Sequence, residues 1–263
     1  MNEKENKNKL LFPLAKNDFK AKYAGSILGT IWAFISPIIT ILIYWFVFQV
    51  AFGNGDVGDV PYVIWLVAGI IPWFFFSETW GGITGVLSDY SYLVKKVVFN
   101  VDILPKVRVI SGLFVHLCFV VLMFIIYFVY GFPLRPILFQ ILYYMAANIL
   151  LVYGIGKITA VLNVFIRDTG NLVGIFVQFG FWLTPIFWNI DDIHGSIPRA
   201  VEMIFKLNPI FYIVQGYRDT FVYGVPFWEH LSLTVYFWVL TAILIFAGHF
   251  LFKRSKPHFA DML

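Results

Sequence analysis

The chain has 263 residues, of which 60% are hydrophobic, 20% aromatic and only 13% charged. Its mean hydropathy is +0.81, which excludes an ordinary water-soluble domain. The formal charge of +4 is more simply explained by attraction to an anionic lipid surface than by nucleic acid, because the basic residues cluster beside the apolar stretches.

In chain order, residues 10–23 come first. Leu11, Ala15, Phe19 and Tyr23 recur four apart among Lys16, Lys20 and Lys22, which predicts an amphipathic helix lying in the membrane interface. Six apolar stretches follow, at 27–52, 61–87, 107–130, 137–165, 172–188 and 231–252. Each is about 17 residues or longer, enough for a helix to cross a hydrocarbon core of roughly 30 Å. Pro37 lies inside the first, where a kink is tolerated if neighbouring helices cover the freed carbonyl. With the N-terminus in the cytoplasm, all of the 19 Lys and Arg residues except Arg135, Arg199, Lys206 and Arg218 fall on the inner side. The positive-inside rule then places both termini in the cytoplasm. The expected fold is a single all-α polytopic membrane domain of six transmembrane helices over 1–263.

Two connections are too patterned to be simple loops. Residues 92–105 intersperse Val98, Phe99 and Leu104 with Lys95, Lys96 and Asp102, which suggests a short cytoplasmic helix made to dock. The region 197–224 contains apolar pieces at 201–205 and 210–217 that are too short to cross. Helices that dip into the outer leaflet and return would fit there. Its surroundings carry Asp191, Asp192, Glu202, Asp219 and Glu229, expected on the outer side.

Enzyme signatures are missing from the sequence. It has no G-x-x-x-x-G-K-[ST], no G-x-S-x-G and no H-E-x-x-H, and its five histidines lack metal-ligand spacing. Cys118 is the single cysteine, so no intrachain disulfide forms. Neither a cofactor nor a metal bound by this chain is expected. Glu78 is the one acid deep in a span, either structural or the ionisable group of a proton-coupled transporter. His116, Gln140, Asn148, Asn163 and Gln178 are expected to bond between helices. Gly81, Gly82 and Gly85 would let a neighbouring helix approach. Aromatic rings occur at several depths: Trp32, Phe34, Tyr44, Trp45 and Phe48 on the first span, and Phe179, Trp182 and Phe187 on the fifth. They suit lipid-facing packing or a path on which sugar CH faces stack.

The run Leu14-Ala-Lys-Asn-Asp-Phe-Lys-Ala-Lys-Tyr-Ala-Gly-Ser-Ile-Leu-Gly-Thr-Ile-Trp-Ala-Phe-Ile-Ser-Pro37 resembles the start of ABC-2 type exporter permeases, the transmembrane subunits that export O-antigen, capsule or teichoic acid. Further matches are Leu93-Val-Lys-Lys-Val-Val-Phe-Asn-Val-Asp-Ile-Leu-Pro105, similar to that family's coupling loop with Asn100 where a proline is more usual, and Asn163-Val-Phe-Ile-Arg-Asp168. Thr184-Pro-Ile-Phe-Trp188, Asn208-Pro209 with Tyr217-Arg218, and Lys256-Pro-His-Phe-Ala-Asp261 complete the set. The resemblance implies a homodimer in the bacterial inner membrane, bound to two copies of a separate ABC ATPase. ATP and Mg would sit on that partner. The cargo would be a polyprenyl-diphosphate-linked glycopolymer, a polysaccharide or teichoic acid. A stand-alone proton-coupled transporter or channel using Glu78 is the alternative, and a membrane-embedded glycosyl- or acyltransferase the third reading.

Overall fold

A computed structural model describes residues 3–53, 55–58, 60–96, 99–189 and 198–263. The described chain is helical, with one isolated antiparallel bridge between Val57 and Val60 and no strand. The helices are α1 (Glu3–Ala21), α2 (Trp32–Trp45), α3 (Tyr62–Asp89), α4 (Ser91–Val94), α5 (Leu104–Val129), α6 (Gln140–Phe165), α7 (Thr169–Leu183), α8 (Arg199–Leu207), α9 (Pro209–Arg218), α10 (Leu231–Ser255) and α11 (Phe259–Met262).

Five helical segments among the described residues are long and apolar enough to cross a membrane: Gly29–Ala51, Tyr62–Asp89, Val101–Val129, Pro136–Phe165 and Phe227–Met262. The expected fifth span, 172–188, is shorter. The helix α7 stops at Leu183 because Thr184 precedes Pro185, whose ring disfavours the helical conformation in the residue before it; Thr184 is extended, with φ −79° and ψ 129°. The first span also starts late. Gly25 and Gly29 adopt positive φ, which breaks the chain between α1 and α2. Five of the six expected spans are thus long apolar helices among the described residues, and the stretch 172–188 coincides with the shorter apolar helix Thr169–Leu183.

The centre of the bundle is α3. In its most apolar window 78% of residues are buried, against 11% for the span that contains α2. A helix apolar on every side belongs inside, and α3 packs on α5, α6, α7 and α9, while α6 packs on α10. Lipid is as apolar as leucine, so close approach in such a bundle is decided by small residues. A Cβ on Gly248 would stand 2.8 Å from the Gly154 carbonyl oxygen, and one on Gly156 2.8 Å from Ile83. In the expected patch Gly81 faces open space, Gly82 meets Arg108 of α5 and Gly85 meets Asp89 of its own helix.

One end of the bundle is filled by α9, buried from Ile210 to Phe221 except at Gln215. It sits between α3, α6 and α10. Arg218 and Asp219, expected on the outer side of the membrane, are each 2% exposed. Asp191 and Asp192 lie outside the described residues.

Candidate functional site

The aromatic residues expected along a path do not behave as one set. Phe187 is buried and gathers the others: its ring is 4.8 Å from Phe48 at an interplanar angle of 10°, 4.7 Å from Tyr44, 5.1 Å from Phe181 and 5.8 Å from Trp182. Tyr44 also meets Phe181 at 5.7 Å. These rings join α2 to the end of α7. Of the rings on α7, the one that reaches Tyr44 of α2 is Phe181 rather than the expected Phe179. Phe179, 66% exposed, instead lines an apolar groove of about 250 Å³ with Trp73, Phe76 and Trp80. Trp32 is exposed, while Phe34 and Trp45 are partly buried against the core.

Beside this cluster lies a cavity of about 440 Å³ lined by Asp56, Tyr62, Trp65, Phe187 and Trp188 among others. Rings with carboxylate and amide edges form the kind of surface on which a sugar stacks through its CH face and bonds through its hydroxyls. Trp65 donates its indole N–H to the Tyr223 hydroxyl at 3.0 Å.

The opposite ends of α3 and α5 carry the expected docking segment. Lys95 and Lys96 are exposed and Phe99 is half-buried against the core. Val98 lies outside the described residues. Leu104 is fully buried within this chain, so it is not free to fill a cleft in a partner, and that assignment is corrected. The described residues of the segment form one helical turn, α4, and, after Asn100, a 3-10 turn at Val101–Ile103 that runs into α5. Asn100 suits this position, since its side-chain oxygen accepts from the Asp102 N–H at 3.2 Å and caps the turn. Asp102 is ion-paired with Lys256 of the C-terminal tail at 2.6 Å, a link that nothing in the spacing foretold.

The helix α1 has its patterned face against α5. Ala15 is buried, Leu11, Phe19 and Tyr23 are half-buried, and the Phe19 and Phe12 rings lie 5.9 and 5.7 Å from Phe114. A polar hub fastens the contact: Asp18 accepts from the Tyr90 hydroxyl at 2.6 Å and pairs with Arg108 at 3.2 Å, and Arg108 also bonds Asp89. Burial, and then the Asp18 carboxylate, push the Tyr90 phenol above its ordinary value. Lys22, just past α1, is ion-paired with Glu78. Burial and the Glu78 charge push Tyr23 up to about 12.

Of the polar residues expected to bond between helices, His116 meets the Tyr217 hydroxyl at 2.8 Å. Asn148 donates to the Pro72 carbonyl at 3.0 Å, and Gln140 bonds Val225 O and the Phe227 N–H. Asn163 accepts from the Gly170 N–H and Gln178 is exposed. No group of three or more potential metal ligands occurs among the described residues.

Residues 9–222 match the family described as ABC-2 type transporter. Over 97% of its length the chain is similar to the O-antigen export system permease protein RfbA of Klebsiella pneumoniae, at 27% identity over 256 residues and 95% of that protein. It is also similar to the protein of the same description from Myxococcus xanthus, at 26% identity over 264 residues and 95% of that protein.

Proposed function

Because this chain belongs to the ABC-2 type transporter family, we propose that it is the membrane-spanning subunit of an ATP-driven exporter, moving a lipid-linked polysaccharide across the inner membrane. The observation that carries this reading is coverage. The likeness to O-antigen export permeases runs through nearly the whole of both chains, so no large part of those permeases lacks a counterpart here. The chain is a non-hydrolytic permease subunit, and two copies of a separate ATPase would supply ATP and Mg to a homodimer of it.

The geometry supports the assignment of parts. The basic, exposed Lys95 and Lys96 beside a half-buried Phe99 suit an acidic groove with an apolar cleft, and the Lys256–Asp102 pair ties this segment to the tail. The ring cluster around Phe187 suits a sliding sugar chain, because stacking tolerates many orientations and creates no deep binding minimum. With both termini in the cytoplasm, the ATPase meets the first of these ends and the polymer leaves past the second.

The proton-coupled alternative rests on Glu78, which is ion-paired with Lys22. The test is to purify the chain together with an ATPase from the neighbouring reading frame and to identify the glycans that co-extract. Lipid-linked glycan with ATP-dependent export is expected. Transport driven by a proton gradient without an ATPase, and abolished in Glu78→Gln, would overturn the proposal.

A further inference from the structure

Two stretches separated in the chain, 184–188 and 208–218, meet in the structure. The helix α7 ends before Pro185, so the carbonyls beyond its last turn have no helical partner. Side chains take them in succession. Arg218 donates through Nη1 to Pro185 O at 2.5 Å and through Nη2 to Ile186 O at 2.8 Å. The Tyr62 hydroxyl donates to Phe187 O at 3.2 Å, and Asn208 donates to the Thr184 hydroxyl at 2.8 Å. The Arg218 guanidinium lies 3.4 Å from the centre of the Trp65 ring, and its Nε reaches Trp65 O at 3.5 Å.

A buried cation is costly unless its charge and its donors are matched. Here carbonyl oxygens and an indole face match them, and the planar fork fits two adjacent carbonyls as an ammonium would not. Gly69 completes the seat, since a Cβ there would stand 2.8 Å from Nη2. The residue that follows the clamped carbonyls is Phe187. Among the described residues, every ring contact that ties 32–52 to the rest of the chain runs through Tyr44 or Phe48 to Phe187 or Phe181. The remaining packing of α2, the least covered long helix, is against α3.

We propose that Arg218 is a positioning residue for the proposed path: by clamping the 184–188 turn it holds Phe187 against Tyr44 and Phe48 and so fixes the seam between α2 and α7. Its role in transport rests on the exporter reading above; the clamp itself does not.

The test places 4-fluorophenylalanine at position 187 of the full chain in lipid nanodiscs, with the same label at position 114 as a reference, and reads fluorine NMR beside export in cells. The 187 signal should be a single line displaced by the stacked rings. Arg218→Lys keeps the charge but loses the fork, and Gly69→Ala keeps the arginine but crowds it. Both should move and broaden the 187 line, leave the 114 line in place and lower export several-fold. An unmoved 187 line in Arg218→Lys, Arg218→Gln and Gly69→Ala would overturn the clamp. If those variants disturb both labels, Tyr62→Phe decides, since it removes one hydroxyl: a shift at 187 alone supports the clamp and no shift overturns it. A displaced 187 line with full export keeps the clamp and removes Phe187 from the path, which separates this inference from the exporter reading.

Discussion

At the scale of single residues, space is the strictest constraint in this chain. Gly216 on α9 faces the ring of the fully buried Tyr144, which a methyl group would penetrate. Overpacking of this kind costs about 1–3 kcal/mol. Gly216→Ala should therefore lower the thermal midpoint of the purified protein, and Tyr144→Leu in the same chain should restore part of it. A midpoint unchanged by Gly216→Ala would mean that α9 is free to shift. Polar residues were legible only as types. That His116, Asn148 and Gln140 bond across helices follows from the cost of an unpaired polar group in an apolar surround. Their partners, Tyr217, the Pro72 carbonyl and the 225–227 backbone, come from elements far apart in the chain.

At the scale of elements, α1 and the C-terminal tail are bound to the bundle by named contacts, and each gives a prediction. Phe19 touches Phe114 while Lys16 is exposed. Phe19→Asp should detach α1 and impair assembly, whereas Lys16→Gln should be tolerated. An edge-to-face pair contributes about 0.5–1.5 kcal/mol beyond its burial, so a Phe19/Phe114 double-mutant cycle should show coupling of that size. Equal tolerance of Phe19→Asp and Lys16→Gln would reduce α1 to a tether. The Asp102–Lys256 pair is about half exposed and contributes little to stability, about 0–1 kcal/mol. Its consequence belongs to coupling: Lys256→Glu should lower export per ATP hydrolysed without altering the thermal midpoint, and Asp102→Lys in that background should recover it. Recovery failing in the charge-swapped chain would show that the tail and the segment act separately.

At the scale of the whole molecule, the proposed function assigns the polymer's path to the ring cluster between α2 and α7. Phe48→Ala together with Trp182→Ala should slow export, or change the polymer length tolerated, while the ATPase still co-purifies. Lipid-facing packing predicts no defect. Cysteine labelling at these positions in a Cys118→Ser background separates the two readings, because modification from the lipid phase alone would exclude a path.

The apolar stretches, the basic residues beside them and the helical spacing of 10–23 are local quantities, and they were enough to determine an all-α chain with several membrane-crossing helices. Even the stop of α7 was written locally, in Thr184-Pro185, though hydropathy counted past it. Three things waited for the tertiary structure. Arg218 and Asp219 turned out buried, because α9 inserts between α3, α6 and α10. Leu104 was consumed by the chain's own core, and Phe181 rather than Phe179 met α2. The physical reason is common to all three. In a sequence this apolar, hydrophobicity no longer distinguishes inside from outside, so the facing of each side chain is decided by which helices pack together and how closely.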